Sequence, residues 1–276
     1  MLYSQPLATR FGTDLTNDLN SGVWHSLRIA VAWVRASGMA HLRPSLESFI
    51  KAGGRLQIIV GIDLDNTTKE GLESLLALTG VGKVDLFVYH NEAGGIFHPK
   101  LYLFSNAAKA KLIVGSNNLT QAGLFQNTEA GLSVVLPLAD PIIAEARNTL
   151  SSWSDLTSGM AKVLDGGFLA ELLANGYVRD EATARAEIAN RKKSAAASAT
   201  TSKKLFSGLA VSAPAAPASG SKPAGGSVSK TSGSVRKSAG VSAVGASASG
   251  SVLLMRVRRS RGTQVQLPIV VAGTYF

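Results

Sequence analysis

A long low-complexity segment limits how much of this chain can form a packed core. Between Lys192 and Gly250 the sequence consists mainly of Ala, Ser, Gly, Val and Lys. Such a segment buries too little apolar surface to offset the entropy that it would lose on folding. We therefore expect a globular domain at residues 1–185, a disordered linker at 186–250, and a short, basic, β-rich segment at 251–276.

Short β-rich runs alternate with helical runs in the globular part. The β-rich runs at residues 28–34, 56–62 and 84–90 are separated by stretches with helical patterning. This alternation predicts an α/β fold in which helices connect parallel strands. The later runs "HPKLYLF" and "KLIVGS" are joined only by "SNAAKA", which predicts an antiparallel hairpin, and a strand "AGLSVVLPL" and a helix "DPIIAEARNTLSSW" follow. The expected fold is a mixed β-sheet flanked by helices.

Three helix boundaries have a local cause in the sequence. Pro44 suits the first turn of a helix, and Gly53 suits the cap at the end of the same helix. Thr67 and Glu70 have the spacing of a capping box. We therefore expect the next helix to begin at Thr67.

The formal net charge of +10 is distributed unevenly along the chain. Residues 1–180 contain 14 Lys and Arg against 16 Asp and Glu, a net charge of −2. The remaining 96 residues contain 14 against 2, a net charge of +12. A cationic C-terminal region attached to a nearly neutral domain predicts binding to polyanions.

The sequence also argues against several kinds of site. The chain has no cysteine, and the four histidines, at positions 25, 41, 90 and 98, do not have metal-ligand spacing, so we expect no metal or other cofactor. The longest apolar runs are too short to cross a bilayer, and the first residues do not resemble a secretion signal. We expect a cytoplasmic protein without a membrane span.

Four polar side chains interrupt the predicted hairpin. His98 and Lys100 are two residues apart and therefore point to the same face of a strand. Ser116 and Asn118 have the same spacing at the end of the facing strand, so the hairpin would gather all four groups. An ammonium, an amide and a hydroxyl suit the oxygens of a phosphate group, and a neutral imidazole can attack the phosphorus atom. The pattern predicts phosphodiester chemistry that needs no metal ion.

These residues resemble the signature of the phospholipase D superfamily, H-x-K followed by G-S-x-N. The chain has "HPK" at 98–100 and "GSNN" at 115–118, and Glu129 follows Asn118 at the spacing found in the single-motif nucleases of the superfamily. Ser105 replaces the family's aspartate, as it does in the restriction-endonuclease branch that this stretch most resembles. The resemblance covers roughly residues 25–155.

The resemblance implies a mechanism as well as a fold. His98 would be the nucleophile and form a phosphohistidine, and a second histidine would protonate the leaving oxygen. Because the chain has one H-x-K, that histidine would come from a second copy in a homodimer, with the active site on the two-fold axis. Lys100, Ser116 and Asn118 would bind phosphoryl oxygens. Glu129 would accept a hydrogen bond from the other imidazole nitrogen.

The resemblance leaves the substrate open, because superfamily members act on nucleic acids and on phospholipids. The cationic region favours DNA, and "MRVRRSRGTQVQLPI" resembles the start of the β-barrel DNA-recognition domain of some restriction enzymes. The predicted DNA-binding residues are Arg256, Arg258, Arg259 and Arg261. A metal-independent DNA endonuclease in restriction or repair is our main hypothesis. The alternatives are a phospholipid phosphodiesterase or transphosphatidylase and a catalytically inactive nucleic-acid-binding protein.

Several other residues near strand ends have simpler interpretations. Asp63 and Asp65 follow a parallel strand, where ligands often bind, but their residue type favours turn and cap roles. His90 also follows a strand and could line the entrance of the site, but a loop position is the simpler expectation. Trp33 is expected in the core or in a contact between subunits.

Overall fold

The computed structural model describes residues 1–186, residue 190 and residues 207–217. The chain divides into two units, Met1–Gly226 and Ser227–Phe276, and the second lies outside the described residues. The four C-terminal arginines, the segment at 251–276 and most of the expected linker therefore lie outside the described part of the chain. The domain boundaries and the DNA-binding role proposed for these arginines stay predictions.

The strands of the described residues form one open sheet of eight. They are β1 (Leu2–Gln5), β2 (Ser26–Val31), β3 (Arg55–Gly61), β4 (Val84–Tyr89), β5 (Lys100–Ser105), β6 (Lys109–Gly115), β7 (Glu129–Pro137) and β8 (Ala161–Val163). Their order across the sheet is β1-β7-β6-β5-β2-β3-β4-β8. Strands β2, β3 and β4 run parallel, and the remaining neighbours pair antiparallel. The predicted mixed sheet is confirmed.

Helices cover both faces of the sheet. They are α1 (Phe11–Asn20), α2 (Ala36–Lys51), α3 (Lys69–Thr79), α4 (Pro141–Trp153) and α5 (Gly166–Ala174). Apolar residues of α1, α2, α3 and α5 pack on one face, and α4 packs on the other through Ile143 and Leu150. The result is a layered α/β arrangement, as predicted. Within the described residues, no helix combines the length and apolar character needed to cross a bilayer.

The predicted antiparallel hairpin of β5 and β6 is confirmed. Leu101 pairs with Val114 at the start of β5. On its other side β5 pairs antiparallel with β2, so that Lys100 stands opposite Val31. This register places the start of β5, the end of β6 and the end of β2 at one edge of the sheet.

The predicted position of Pro44 in a first helical turn is wrong, because α2 begins earlier and contains Pro44 in its interior. The N-terminus of α2 is stabilised by a distant side chain, since the Glu181 carboxylate accepts the N–H of Ala36 at 2.8 Å. This tertiary cap leaves no local signal in the sequence. The predicted cap at Gly53 is confirmed, because Gly53 follows α2 with a φ of 92°.

The predicted start of the next helix is displaced by one residue. Thr68, and not Thr67, caps α3, because its hydroxyl accepts the N–H of Gly71 at 3.3 Å. Thr67 is buried and donates to the carbonyl of Gly61 at 2.6 Å. Two adjacent threonines offer the same local signal, and only the packing against β3 separates their roles.

Residues 207–217 lie against the domain, although they fall within the stretch expected to be disordered. Arg10 donates to the carbonyl of Ser212 at 2.8 Å, and Gln126 donates to the carbonyl of Val211 at 3.2 Å. Ala213 packs against the larger apolar core. This short stretch of the expected linker thus contacts the domain, and its prolines reduce the entropy lost on docking.

Candidate active site

The five residues singled out by the sequence motifs lie near one edge of the sheet. His98 precedes β5, and Lys100 is the first residue of that strand. Ser116 directly follows β6, and Asn118 lies two residues further on. Glu129 begins β7, which pairs with β6. Three consecutive antiparallel strands thus deliver all five side chains to the same region.

The segment after β6 is held against the end of β2. Leu119 donates its N–H to the carbonyl of Trp33 and accepts the N–H of Arg35, both at 3.1 Å. Gly38 of α2 packs on the same segment, where a Cβ atom would lie 2.4 Å from the carbonyl oxygen of Leu119. Only glycine allows so close a backbone approach. These contacts fix Asn118 beside Trp33.

His98 and Lys100 form a close pair. The Lys100 Nζ lies 2.8 Å from Nδ1 and 3.0 Å from Nε2 of His98, and it donates to the carbonyl of His98 at 3.2 Å. Burial, and secondly the Lys100 charge, lower the pKa of His98. Burial also lowers the pKa of Lys100, although the Glu129 carboxylate acts in the opposite direction. The imidazole is therefore held in its neutral, nucleophilic form at neutral pH.

The two adjacent asparagines have different roles. Asn117 is buried and donates through Nδ2 to the carbonyl of Gly123 at 2.8 Å, which makes it part of the local scaffold. Asn118 accepts the backbone N–H of Trp33 through Oδ1 at 3.1 Å. This contact orients the amide so that its Nδ2 donors are directed away from the backbone of Trp33. Asn118 is thus the asparagine that can donate to a phosphoryl oxygen.

Ser116 and Glu129 are hydrogen-bonded to each other. The Ser116 hydroxyl donates to the Glu129 carboxylate and accepts the N–H of Ala130 at 3.1 Å. Glu129 also accepts from Asn127 Nδ2 at 3.0 Å. Between the described residues of one chain, the carboxylate of Glu129 is thus bonded to Ser116 and Asn127, and the hydrogen bond expected from His98 is not among its contacts. Glu129 acts on the pair electrostatically, through the pKa of Lys100.

Trp33 belongs to the site, which the sequence did not indicate. Its indole contacts the imidazole of His98 edge to face, with the ring centroids 5.0 Å apart. The Lys100 Nζ lies 5.4 Å from the centroid of the same indole. Trp33 lies just beyond the end of β2, which pairs with β5, and no local pattern in the sequence indicated that pairing.

Asp63 and His90 lie next to this group. The Asp63 carboxylate accepts the N–H of Phe97 at 2.8 Å and lies 2.7 Å from Nδ1 of His90. The carbonyl of Asp63 accepts the indole N–H of Trp33 at 3.1 Å. The sequence assigned Asp63 a turn or cap role and His90 a loop. Asp63 does lie in a turn, but its side chain also connects Phe97 with His90, and its backbone carbonyl holds Trp33.

Ser105, which replaces the aspartate of the resembled family, lies at the far end of β5 from Lys100. Five strand residues correspond to about 17 Å. Ser105 pairs there with Ser26, at the start of β2. Within one chain, the replacement therefore leaves the side chains around His98 untouched.

The arrangement is suited to a phosphate group. A neutral imidazole, an ammonium and the donor end of an amide converge, which provides one nucleophile and two kinds of hydrogen-bond donor. The other three histidines have different partners or positions. His90 is paired with Asp63, His41 packs against Phe125, and His25 lies beside Ser105 at the opposite end of the sheet. In the described residues no group of three or more His, Asp or Glu side chains is placed to hold a metal ion.

Comparison with known proteins finds similarity at the level of the fold. No protein-family model and no curated protein sequence matches this chain. NucT from Helicobacter pylori has a similar structure, with 19% identity, 59% of this chain and 98% of that chain covered, and a TM-score of 0.43. The polyphosphate kinase from Porphyromonas gingivalis is 13% identical, with a TM-score of 0.40, and the match covers 60% of this chain and 24% of the kinase. The phosphatidylserine synthase from Haemophilus influenzae is 16% identical, with a TM-score of 0.40, and the match covers 58% of this chain and 40% of the synthase.

The chain thus spans nearly the whole of NucT but less than half of the other two proteins. The similarity to all three is therefore one of fold.

Proposed function

We propose that this protein is a metal-independent phosphodiesterase of the phospholipase D-like nuclease class that cleaves DNA through a covalent phosphohistidine. The observation that carries this proposal is the pairing of His98 with Lys100. Burial and the ammonium keep the imidazole neutral, and the same ammonium supplies positive charge for a phosphate. Burying an ammonium group is costly, so the buried position of Lys100 is better explained by binding of a phosphate than by a purely structural role.

In the first step, a ring nitrogen of His98 would donate its lone pair to phosphorus and form a P–N bond. The bond between phosphorus and the leaving oxygen breaks, and that oxygen takes a proton from a second imidazole, whose protonated form the negative charge of the bound phosphate would favour. Lys100 and the Asn118 amide would donate to the non-bridging oxygens, on which negative charge develops. Water would then attack phosphorus and pass a proton to the second imidazole, while the P–N bond breaks and restores His98.

The second imidazole requires a second copy of the chain. His41 packs against Phe125, His90 is paired with Asp63, and His25 lies at the opposite end of the sheet, so one chain offers a single imidazole to the reaction. A two-fold axis beside His98 would bring two such imidazoles to opposite sides of one phosphorus atom. We therefore propose a homodimer with one shared active site.

DNA is the proposed substrate because of the charge distribution. The domain is nearly neutral, whereas the region after residue 180 carries a net charge of +12. Such a region neutralises backbone phosphates without reading sequence, which suits a nuclease in restriction or repair. Arg256, Arg258, Arg259 and Arg261 are the proposed phosphate contacts.

The test is cleavage of supercoiled plasmid and of single-stranded DNA in excess EDTA by the full chain. His98→Ala should abolish cleavage, whereas His25→Ala, an exposed histidine at the opposite end of the sheet, should leave it unchanged. Radiolabelled DNA should remain attached to the unmodified protein after denaturation, and not to His98→Ala.

Other outcomes would contradict the proposal. Equal cleavage by His98→Ala would rule out the phosphohistidine. Turnover of phospholipid vesicles without cleavage of DNA would instead identify a phospholipid phosphodiesterase or transphosphatidylase. DNA binding without turnover of either substrate would identify a binding protein.

A further inference from the structure

His98 belongs to an irregular segment of the chain. Between the end of β4 at Tyr89 and the start of β5 at Lys100 the chain has no regular secondary structure. His98 lies near the end of this segment and therefore lacks the backbone pairing that fixes Lys100. Something other than the sheet must hold the imidazole in place, because loops are otherwise the mobile parts of a fold.

The Asp63 carboxylate connects the two ends of that segment. One oxygen accepts the N–H of Phe97, the residue before His98, at 2.8 Å, and the other lies 2.7 Å from Nδ1 of His90, the first residue after β4. The Asp63 side chain is 10% exposed, so these hydrogen bonds face little competition from water. The carboxylate thereby closes the segment into a loop.

The backbone of Asp63 acts on the other neighbour of His98. Its carbonyl accepts the indole N–H of Trp33 at 3.1 Å, and this indole packs edge to face on the imidazole. One residue therefore positions both the backbone that precedes His98 and the aromatic ring that contacts it.

The backbone around Asp63 is shaped for these contacts. Leu64 and Asp65 follow it with φ angles of 64° and 54°, in the left-handed region that such residues seldom adopt. Conformations of this kind persist where the surroundings enforce them, and they are common at functional sites. Gly61 allows Phe97 to approach closely, since a Cβ atom there would lie 2.9 Å from the carbonyl oxygen of Phe97.

We propose that Asp63 is a positioning residue for the His98 nucleophile. This inference rests on the proposed phosphodiesterase function. Through Phe97 and Trp33, Asp63 holds the imidazole in the orientation from which it attacks phosphorus, and it touches neither the substrate nor the reacting nitrogen.

The test compares three variants of the full chain. Asp63→Ala removes both hydrogen bonds of the carboxylate, whereas Asp63→Asn keeps an oxygen that can accept the N–H of Phe97. Asp65→Asn, in the same turn, is the matched control, because the Asp65 side chain is 40% exposed and its ion pair with Arg179 is long, at 3.7 Å.

We expect Asp63→Ala to lower kcat about 100-fold with KM little changed, since a small displacement of a catalytic group costs on that order. Asp63→Asn should recover most of the rate, and Asp65→Asn should behave as the unmodified protein. A wild-type kcat in Asp63→Ala would overturn the proposal. The proposal would also be overturned if the loss of activity in Asp63→Ala equalled the fraction of that variant found unfolded by circular dichroism. An equal loss of kcat in Asp65→Asn would overturn it as well.

A second readout separates this inference from the proposed function. In protein labelled with ¹³C-histidine, the His98 ring signal is identified by its disappearance in His98→Ala. We expect that signal to shift or broaden in Asp63→Ala and to stay in place in Asp65→Asn, whether or not any substrate is cleaved. An unchanged His98 signal in Asp63→Ala would overturn the positioning role, and absence of cleavage with a displaced signal would overturn only the proposed function.

Discussion

The indole of Trp33 contacts the imidazole of His98 with an interplanar angle of 71°. The same residue also contacts Lys100 through its ring and Asn118 through its backbone N–H. One residue outside the sequence motifs therefore touches three residues within them, two through its side chain and one through its backbone. An edge-to-face aromatic pair contributes about 0.5–1.5 kcal/mol, enough to favour one orientation of the imidazole.

The effect of replacing Trp33 should depend on whether the new side chain has an aromatic ring. Trp33→Leu removes the ring, and we expect kcat to fall about 10- to 100-fold as the imidazole loses its preferred orientation. Trp33→Phe keeps an aromatic ring and should lose much less. Steady-state cleavage assays, with thermal unfolding as the control for stability, would check this. A wild-type kcat in Trp33→Leu would show that the indole does not orient His98.

The pKa of His98 should respond to Lys100. Burial is the larger cause of its lowered value and the Lys100 charge the smaller, so Lys100→Gln should raise the pKa of His98 only part of the way to the ordinary value. Attack requires the neutral imidazole, so the nucleophile is lost as the pH falls through the lowered pKa, below about 6.5. NMR titration would check this, with His41, whose pKa is lowered by burial alone, as an internal control. A pKa of His98 that does not change in Lys100→Gln would contradict the assignment.

Mixing of subunits should reveal whether two histidines share one site. If unmodified chains are refolded together with His98→Ala chains in equal amounts, a dimer with one shared site leaves activity only in the unmodified pairs, about one quarter of the total. Independent monomers would retain about one half. Activity measured across a range of mixing ratios would therefore follow the square of the unmodified fraction, and a linear dependence would exclude the shared site.

The two adjacent asparagines should differ in what they contribute. Asn118→Asp keeps the acceptor for the N–H of Trp33 but removes the donors, so we expect cleavage to fall about 100- to 1000-fold with little change in stability. Asn117→Asp breaks the buried hydrogen bond to Gly123 and should lower the free energy of unfolding by about 1–3 kcal/mol. Chemical denaturation and cleavage assays on both variants would check this. The reverse pattern would mean that the assignment of the two residues is wrong.

The C-terminal arginines should determine how DNA affinity depends on salt. If all four contact phosphates, changing Arg256, Arg258, Arg259 and Arg261 to Gln should reduce the slope of log affinity against log salt by about 3 to 4. The matched Arg→Lys variant keeps the charge and should keep the slope. Binding measured between low and moderate salt would check this, and an identical slope in the Gln variant would show that these arginines do not contact DNA.

The part of the site that could be predicted from the sequence is the part built from neighbouring strands. His98, Lys100, Ser116 and Asn118 belong to one hairpin, whose register follows from a short connection and alternating side chains. Glu129 was singled out by its spacing from Asn118, and it begins the strand that was expected one residue later, at Ala130. Its partner was not predictable, because the side-chain geometry that joins it to Ser116 depends on backbone turns after β6.

Trp33 and Asp63 could not be recognised in the same way. They precede His98 by 65 and 35 residues, and they reach it only because β2 and β3 lie beside β5 in the sheet. The parallel order of β2, β3 and β4 was predictable, but the insertion of β5 next to β2 was not. Similarly, the start of α2 depends on Glu181, which is far away in the sequence. Local patterns predict elements better than they predict which elements become neighbours.

The position of Ser105 at the far end of β5 has a consequence for how such proteins are found in genomes. Motif patterns that demand an aspartate at this place would reject the chain, although the substitution lies about 17 Å along the strand from Lys100. A pattern based on the side chains that converge at the opposite edge, including the aromatic residue just beyond the neighbouring strand, would retain it. Searches designed around three-dimensional proximity should therefore recover relatives that a linear signature discards.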